Sequence, residues 1–279
     1  MGSDWTSLVL GVLAALSWGG GDFLGGLAGK RTSVILVTIC SGLIGGGLLA
    51  AAALVLKEPF PSPSESLWAG VAGVFGAAGI FVLYTALSTE KMGVVAPITG
   101  VVAAVLASAI GDIVEGLPGP LQLLGFALAL LGIWLLSNPR VAGVTARALS
   151  LSVTAGVCAG FFFFAIHQAS YTSAFWANCL ERAMGLVVLG IAAAVMKPDL
   201  ALRRAPWAQL ALLCVLDTCG ALLFTLAART GRLDVATVVS SLYPGGTVLL
   251  AWVALKEPIT RLQWAGIGLA LAAIAVIAI

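Results

Sequence analysis

A few ionisable side chains interrupt the long apolar stretches of this sequence. The set comprises Asp22, Asp112, His167, Glu181, Arg182 and Asp217. Inside a membrane helix, each such group costs about 2.5–3.5 kcal/mol on insertion scales, so it usually faces a cavity or a partner. Four carboxylates accompany one permanent cation in this set. An acidic excess of this kind suits proton exchange, a cationic substrate, or both.

Asp217 and His167 are the residues best suited to couple protonation to transport. Asp217 lies near the middle of its apolar stretch, at the costliest depth for a charge. Histidine has an unperturbed pKa of about 6.5, which lies near working pH. Structural roles remain open as alternatives. Arg182 can instead form a fixed ion pair with Asp217 or Glu181. His167 can be an ordinary buried histidine, and Asp112, near a helix end, can reach the membrane interface.

Helical spacing adds aromatic and polar side chains to these groups. Positions four apart share a helix face, which pairs Trp18 with Asp22 in "SWGGGDFLGG" and Asn178 with Arg182. Aromatic faces attract organic cations, and Trp18 lies deeper in its stretch than the tryptophans at span starts. The other candidates for substrate contact or coupling are Tyr84, Tyr171, Trp176, Ser240 and Ser241.

Glycines and prolines indicate where helices pack closely or break. The glycines of "SWGGGDFLGG" leave room for a close neighbouring helix. Proline lacks a backbone N–H, so Pro97 and Pro244, both inside apolar stretches, are candidate helix breaks and gates. A hydroxyl-bearing face with Ser240 and Ser241 ends at Pro244.

The composition identifies an integral membrane protein. Hydrophobic residues make up 61% of the chain and charged residues 9%, whereas a soluble domain averages about 25% charged residues. The formal net charge of +2 gives no reason to invoke nucleic acid. The five cysteines form no C-x-x-C pair, and neither H-E-x-x-H nor G-x-S-x-G occurs. We therefore expect no metal, no cofactor and no catalytic residues, and a membrane-embedded enzyme is the least favoured alternative.

Ten apolar segments are long enough to span a bilayer as helices, which requires roughly 20 residues with a range of about 17–25. Short connections separate them, and these hold most of the charge. The predicted fold is an all-α bundle of ten transmembrane helices in the cell membrane. The segments cover residues 6–27, 33–56, 67–88, 93–114, 120–137, 149–171, 174–196, 207–228, 234–255 and 262–279.

The chain also repeats itself. "LQLLGFALALLG" (121–132) matches "LQWAGIGLALAA" (262–273) at an offset of 141. Upstream, an offset of 145 sets Asp22 against His167. These matches predict two five-helix repeats, 1–138 and 148–279. Because five is odd, the second repeat enters the membrane from the opposite side, an architecture that many secondary transporters share. We expect helices 1, 3, 4, 6, 8 and 9 to surround a central cavity.

This pattern resembles the drug/metabolite transporter superfamily, EamA type. The resemblance rests on "SWGGGDF" in the first helix, "YTALSTEKMGVVAPI" across the third and fourth, and "VATVVSSLYPGGTVLLAWVALKEPITRLQWAG" near the end. It implies a ten-helix transporter that exports amino acids or other small metabolites, with both termini in the cytoplasm. The count of lysine and arginine in loops, three against ten, instead favours both termini outside.

The sequence thus predicts a secondary active transporter that works by alternating access. Its substrate is expected to be a small polar or amphipathic metabolite (an amino acid, an amine or an organic cation), with protons as the candidate coupling ion. An uncoupled facilitator or exchanger is the alternative, and a scaffold or lipid-handling protein is a further one. The expected partners are the lipid bilayer and a small-molecule substrate, and the protein is expected to be a monomer or a homodimer.

Overall fold

A computed structural model describes residues 2–137, 145–198, 207–256 and 259–277. Within these ranges the regular elements are all helices. They are α1 (Gly2–Gly29), α2 (Val34–Val55), α3 (Pro63–Thr89), α4 (Met92–Glu115), α5 (Pro120–Ser137), α6 (Ala146–Ala169), α7 (Ala174–Met196), α8 (Trp207–Thr230), α9 (Leu233–Ser240), α10 (Tyr243–Leu255) and α11 (Arg261–Ile277).

The predicted all-α, ten-span fold is confirmed. Eight candidate spans in the described residues are long and apolar enough to cross a membrane, and the helices α5 and α11 are apolar but shorter. The ninth span consists of α9 and α10 together. Several predicted boundaries differ from the observed ones by a few residues; the sixth span, for example, ends at Ala169 and not at residue 171. The third helix begins at Pro63, where Ser62 and Glu65 form a capping box.

The ninth span breaks between α9 and α10. The break comes three residues before Pro244, where the hydroxyl-bearing face was predicted to end. Pro244 has no N–H to offer the carbonyl of Ser240. The chain instead makes tighter turns, with Leu242 N donating to Val239 O at 3.2 Å and Gly245 N donating to Leu242 O at 3.0 Å. Pro97, by contrast, lies within the continuous helix α4. Of the two prolines, only Pro244 stands at a change of helix.

The most extensive helix packing joins the two halves of the chain. In particular, α1 packs along α8, α3 along α6 and α7, α4 along α6, α2 along α7, and α5 along α11. Small residues bring these helices close together. A Cβ added to Gly266 on α11 would lie 2.7 Å from the carbonyl oxygen of Gly132 on α5. The halves are therefore interleaved rather than placed side by side.

Short turns reverse the chain between consecutive helices, so the bundle has two distinct ends. We call the end where α1 begins and α11 ends the terminal face; the loops 56–62, 116–119, 170–173 and 231–232 lie there. The opposite face carries the loops 30–33 and 90–91. Five helices precede α6, so α6 runs opposite to α1, which is consistent with inverted repeats.

Hydrogen bonds between the two halves close the terminal face. The Glu65 carboxylate accepts bonds from the Thr172 backbone N at 2.6 Å and from Thr172 Oγ1 at 2.8 Å. The Trp176 indole N–H donates to the Glu58 carbonyl at 3.2 Å. We call these four residues the terminal latch. It ties the loop between α2 and α3 to the loop between α6 and α7.

Candidate functional site

A cavity of about 130 Å³ lies at the centre of the bundle. Residues of eight helices line it: α1, α2, α3, α4, α6, α7, α8 and α10. The predicted set of helices 1, 3, 4, 6, 8 and 9 contributes to this lining, the ninth through α10. The helices α2 and α7 also line the cavity, although the sequence interpretation did not place them around it.

The cavity occupies the middle of the bundle and the half towards the opposite face. On α2, the lining residues Thr38 and Gly42 belong to the first three turns, which start at that face. On α3, the lining runs from Phe75 to Leu83, in the later half of a helix that starts at the terminal face. Towards the terminal face, the buried side chains include Ile166, Phe224 and Leu233. The cavity is therefore placed asymmetrically between the two faces.

Aromatic and aliphatic side chains form most of the cavity wall. Phe75, Phe162 and Tyr243 contribute rings, and Ile80 and Leu186 contribute aliphatic surface. Such a wall suits the apolar body of an amphipathic molecule, since it offers area without competing hydrogen bonds. Polar contact must come from the few ionisable groups that reach the cavity.

An ion pair anchors these groups. Arg182 NH1 lies 2.7 Å from Asp217 Oδ2, and Ser41 Oγ donates to the same carboxylate oxygen at 2.6 Å. Both charged side chains are about nine-tenths buried. Arg182 is therefore held by Asp217, as the alternative structural interpretation expected. This contact accounts for the only formal cation among the described residues that line the cavity.

Glu181 is the second carboxylate near this arginine. Its Oε2 lies 3.5 Å from Arg182 Nε, a separation that gives electrostatic contact but no hydrogen bond among the described residues. One guanidinium group therefore serves two carboxylates, a close one on α8 and a more distant one on its own helix.

Asp22 is the third carboxylate, and it lies 4% exposed in the cavity lining. It makes no ion pair within the described part of the chain. The carboxylate of Asp217 acts on it electrostatically, and Asp22 in turn acts on the phenols of Tyr84 and Tyr243. If all three carboxylates are ionised, the four charged groups carry a net charge of −2. The cavity is thus acidic, as the sequence predicted for the spans as a whole.

The glycines of "SWGGGDFLGG" explain how Asp22 reaches this place. A Cβ at Gly19 would lie 2.7 Å from the Tyr243 carbonyl oxygen, and one at Gly21 would touch the backbone of Asp217 at 3.6 Å. A Cβ at Gly25 would collide with the ring of Tyr84. The predicted close packing is therefore present on three sides of α1, and it brings α10, α8 and α3 against the aspartate.

An aromatic cluster forms the floor of the cavity on the side of the terminal face. The Trp18 ring lies 5.6 Å from that of Phe163 and 5.7 Å from that of Phe224, and these two phenylalanine rings are 4.5 Å apart. Phe224 is fully buried. Trp18 thus both lines the cavity and separates it from the terminal half.

Other predicted site residues lie outside the cavity lining. His167 is in the last turn of α6, near the terminal face, and its ring meets that of Tyr171 at 5.5 Å. The predicted sixth segment included Tyr171, but this residue lies in the loop after the helix and is exposed. Its carbonyl oxygen accepts a hydrogen bond from Arg229. Helical spacing gives the direction of a side chain but not its depth or the end of the helix.

Trp176 and Asn178 also have partners away from the cavity. Trp176 belongs to the terminal latch, and its ring meets Phe60 edge-on at 5.3 Å. Asn178 is fully buried, and its amide donates to the Ala174 carbonyl at 2.8 Å and to Thr225 Oγ1 at 2.9 Å. Trp176 thus connects α7 to the loop between α2 and α3, and Asn178 connects α7 to α8.

Tyr84 and the two serines lie behind the cavity wall. The Tyr84 hydroxyl is buried and has no hydrogen-bond partner among the described residues. Ser240 Oγ donates to the Gly11 carbonyl at 3.4 Å, and Ser241 is fully buried beside the break before α10. The side chain of Asp112 lies outside the described part of the structure.

Ser41 and Thr38 are residues that the sequence interpretation missed. Both sit on α2 and are buried, and Ser41 bonds the carboxylate of Asp217. The available signal was a hydroxyl pair, three residues apart, inside an apolar stretch. Among the described residues, no group of three or more histidine, cysteine, aspartate or glutamate side chains is arranged to hold a metal ion.

Comparisons with known proteins agree with this architecture. A crystal structure described only as "Crystal structure of protein" superposes on 97% of this chain and 95% of its own with a TM-score of 0.75 and 18% sequence identity, a likeness that shows the fold alone. No curated protein matches the sequence. The model of the EamA-like transporter family matches residues 5–138 and again 146–279. The chain is therefore a multi-pass membrane protein that belongs to the EamA-like transporter family.

Proposed function

We propose that this protein is a secondary active transporter that moves a small amphipathic molecule through the central cavity by alternating access. The main support for this proposal is the cavity at the centre of the bundle. Its wall is mostly apolar and aromatic and includes three carboxylates and one arginine. An amine or an organic cation fits this chemistry best, and an amino acid is the further candidate. We propose transport rather than catalysis.

The asymmetry of the bundle supports alternating access. The cavity extends towards the opposite face, while the terminal latch and the Trp18 cluster close the terminal half. A transporter of this kind needs a second state in which those contacts part. The interleaved repeats supply two similar sets of helices that can exchange roles.

The uncoupled facilitator differs from this proposal in one measurable respect. A coupled transporter accumulates its substrate against a gradient when a second gradient is imposed, whereas a facilitator only equilibrates it. Fixed charges that merely hold the bundle together would support the facilitator. The buried pair of Arg182 with Asp217 is such a fixed contact, but the remaining carboxylates exceed what it needs.

Counterflow in proteoliposomes tests transport through this cavity. Purified protein is first screened by thermal shift, at two pH values, against amino acids, amines and quaternary ammonium compounds. The stabilising compound is then loaded inside vesicles, and uptake of its labelled form is followed. We expect counterflow in wild type and its loss in Ala159→Phe, because Ala159 lines the cavity.

Ala194→Phe is the matched control, because Ala194 is exposed on α7, away from the cavity. It should retain counterflow. Equal activity in Ala159→Phe and Ala194→Phe would show that the substrate does not pass through this cavity. The absence of counterflow in wild type for every stabilising compound would count against the transport proposal itself.

A further inference from the structure

The charged groups at the cavity differ in the hydrogen bonds and ion pairs that they make within the protein. Asp217 accepts bonds from Arg182 at 2.7 Å and from Ser41 at 2.6 Å. Glu181 shares the same guanidinium group at 3.5 Å. Asp22 contacts no cation and accepts no hydrogen bond from the described residues. It is therefore the carboxylate of the cavity that remains available to an incoming charge.

The helices packed against α1 place few titratable groups near Asp22. From α8 comes Asp217, already bound to Arg182 of α7; from α3 comes the phenol of Tyr84; and from α10 comes that of Tyr243. The helices α2 and α9 add no charged group at this level among the described residues. A buried carboxylate in these surroundings is costly when ionised and alone.

We propose that Asp22 is the exchange carboxylate of this transporter: it binds the positive charge of an organic monocation in one direction and a proton in the other. This inference rests on the proposed function and deepens it. When the cation arrives, the carboxyl O–H bond of Asp22 breaks and the proton leaves to water in the cavity. When the cation departs, a proton from water restores the carboxyl group.

The geometry also points to the substrate's apolar part. Trp18 shares the helix face of Asp22 and lines the cavity, and Tyr243 lines it from α10. Aromatic faces attract cations, especially where water is excluded. The rings of Phe75 and Phe162 can cover an aromatic or branched aliphatic body. An organic monocation with such a body satisfies both the charge and the wall.

The exchange should be electroneutral. One cation replaces one proton on the same carboxylate, so the loaded site carries the same charge in both directions. The carrier then crosses without a bare charge at Asp22, which would otherwise cost several kilocalories in a dry site. A pH gradient should therefore drive transport, while the membrane potential should have little effect on its rate.

Proton release on binding tests the exchange directly. Benzyltrimethylammonium is a suitable probe because it has no titratable proton, so any released proton comes from the protein. We expect wild-type protein in weakly buffered detergent to release about one proton per bound cation. Asp22→Asn should release none and bind about 30-fold more weakly or worse, as expected for loss of a buried charge partner. Asp22→Glu should restore release.

The carboxylate isosteres of the cluster provide the comparison. Glu181→Gln distinguishes the two carboxylates: its affinity for the cation is expected to fall, but about one proton should still be released per bound cation, because Glu181 is shared with Arg182. Hydrocinnamate, an anion with a similar aromatic body, should neither bind nor release protons. Failure of benzyltrimethylammonium to bind wild type, or unchanged release in folded Asp22→Asn, overturns the inference. Release that disappears in Glu181→Gln but persists in Asp22→Asn assigns the exchange to Glu181 and also overturns it.

Vesicle transport separates this inference from the proposed function. In wild type, an imposed pH gradient should drive uptake of labelled benzyltrimethylammonium, and a potassium diffusion potential should not. Asp22→Asn should lose the response to pH. Counterflow of other substrates in wild type, together with a pH response that survives in Asp22→Asn, would leave transport standing and refute the role of Asp22. Monodisperse elution of each variant confirms that it is folded.

Discussion

Arg182 and Asp217 meet at 2.7 Å in the centre of the bundle, and Ser41 donates to the same carboxylate oxygen at 2.6 Å. The ion pair joins α7 to α8 within the second half of the chain, while Ser41 brings in α2 from the first half. A contact that holds three helices has a structural role. Because its carboxylate is already bound by Arg182 and Ser41, Asp217 is less available to a substrate than Asp22, although it lies near the middle of its membrane span.

Removal of one partner of this pair should destabilise the protein. Asp217→Asn leaves Arg182 with the hydroxyl of Ser41 and the distant carboxylate of Glu181, and Arg182→Gln leaves two carboxylates uncompensated. Loss of one member of a buried pair costs about 3–5 kcal/mol. Thermal unfolding in detergent, followed by size-exclusion chromatography, should show a clearly lowered midpoint for each variant.

The double variant Arg182→Gln/Asp217→Asn should recover part of that loss, since no charge of this pair is then left alone. Glu58→Gln serves as a control, because only the backbone carbonyl of Glu58 makes a contact with Trp176. Wild-type midpoints in both single variants would show that the ion pair does not hold the bundle together.

Gly19→Ala should disrupt the packing of α1 against α10. Its Cβ would lie 2.7 Å from the Tyr243 carbonyl oxygen, and backbone cannot move aside as a flexible side chain can. Overpacking of this kind costs about 1–3 kcal/mol. The matched control is Gly47→Ala on α2, which would meet no atom within 4 Å. Equal thermal stability of the two variants would contradict the close approach.

Glycine spacing shows what the sequence could and could not predict. The glycines around Asp22 predicted close packing, and that packing is present. The neighbouring helices could not be predicted, because a glycine indicates a close contact but does not identify the residue that makes it. Pro244 likewise predicted a break in the ninth span, whereas Pro97 is accommodated within α4. The residue types indicated where a helix could break or pack closely, and tertiary packing determined whether it does.

Weakening the terminal latch should favour opening at the terminal face. Thr172→Val keeps the shape of the side chain and removes the Oγ1 donor to Glu65; Glu65→Ala removes both acceptors. Spin labels at Ser64→Cys and Tyr171→Cys, in a background without native cysteines, report the separation of the two loops. We expect longer and broader distances, with a larger effect for Glu65→Ala.

Glu58→Gln is the control for this measurement as well, since it lies in the same loop and keeps its backbone contact. It should give the wild-type distance distribution. If Glu65→Ala also keeps the wild-type distribution, the latch does not determine which face is closed.

Trp18→Ala should open a leak through the floor of the cavity. The indole packs against Phe163 and Phe224, and its loss leaves a gap between the cavity and the terminal half. Passive efflux of benzyltrimethylammonium from proteoliposomes should rise several-fold. Trp18→Phe should restore most of the seal while weakening cation binding. Trp264→Ala, at an exposed tryptophan, should not leak; a leak there of equal size would point to general destabilisation.

The sequence predicted the charged part of the site better than its polar part. Asp22, Glu181, Arg182 and Asp217 all reach the cavity, because a charge inside an apolar span must find a partner or water. Ser41 was missed because hydroxyls are common in membrane helices and carry no comparable cost. Tyr171 was misplaced because the helix it was assigned to ends two residues earlier.

The interleaving of the two halves has a consequence for biogenesis. Because α1 packs chiefly on α8 and α5 on α11, the first five helices emerge from the ribosome without the neighbours they are shaped to meet. Each must remain in the bilayer as an inserted but unassembled segment until the second half is synthesised. Separately expressed halves should therefore be short-lived alone and survive when produced together in one cell.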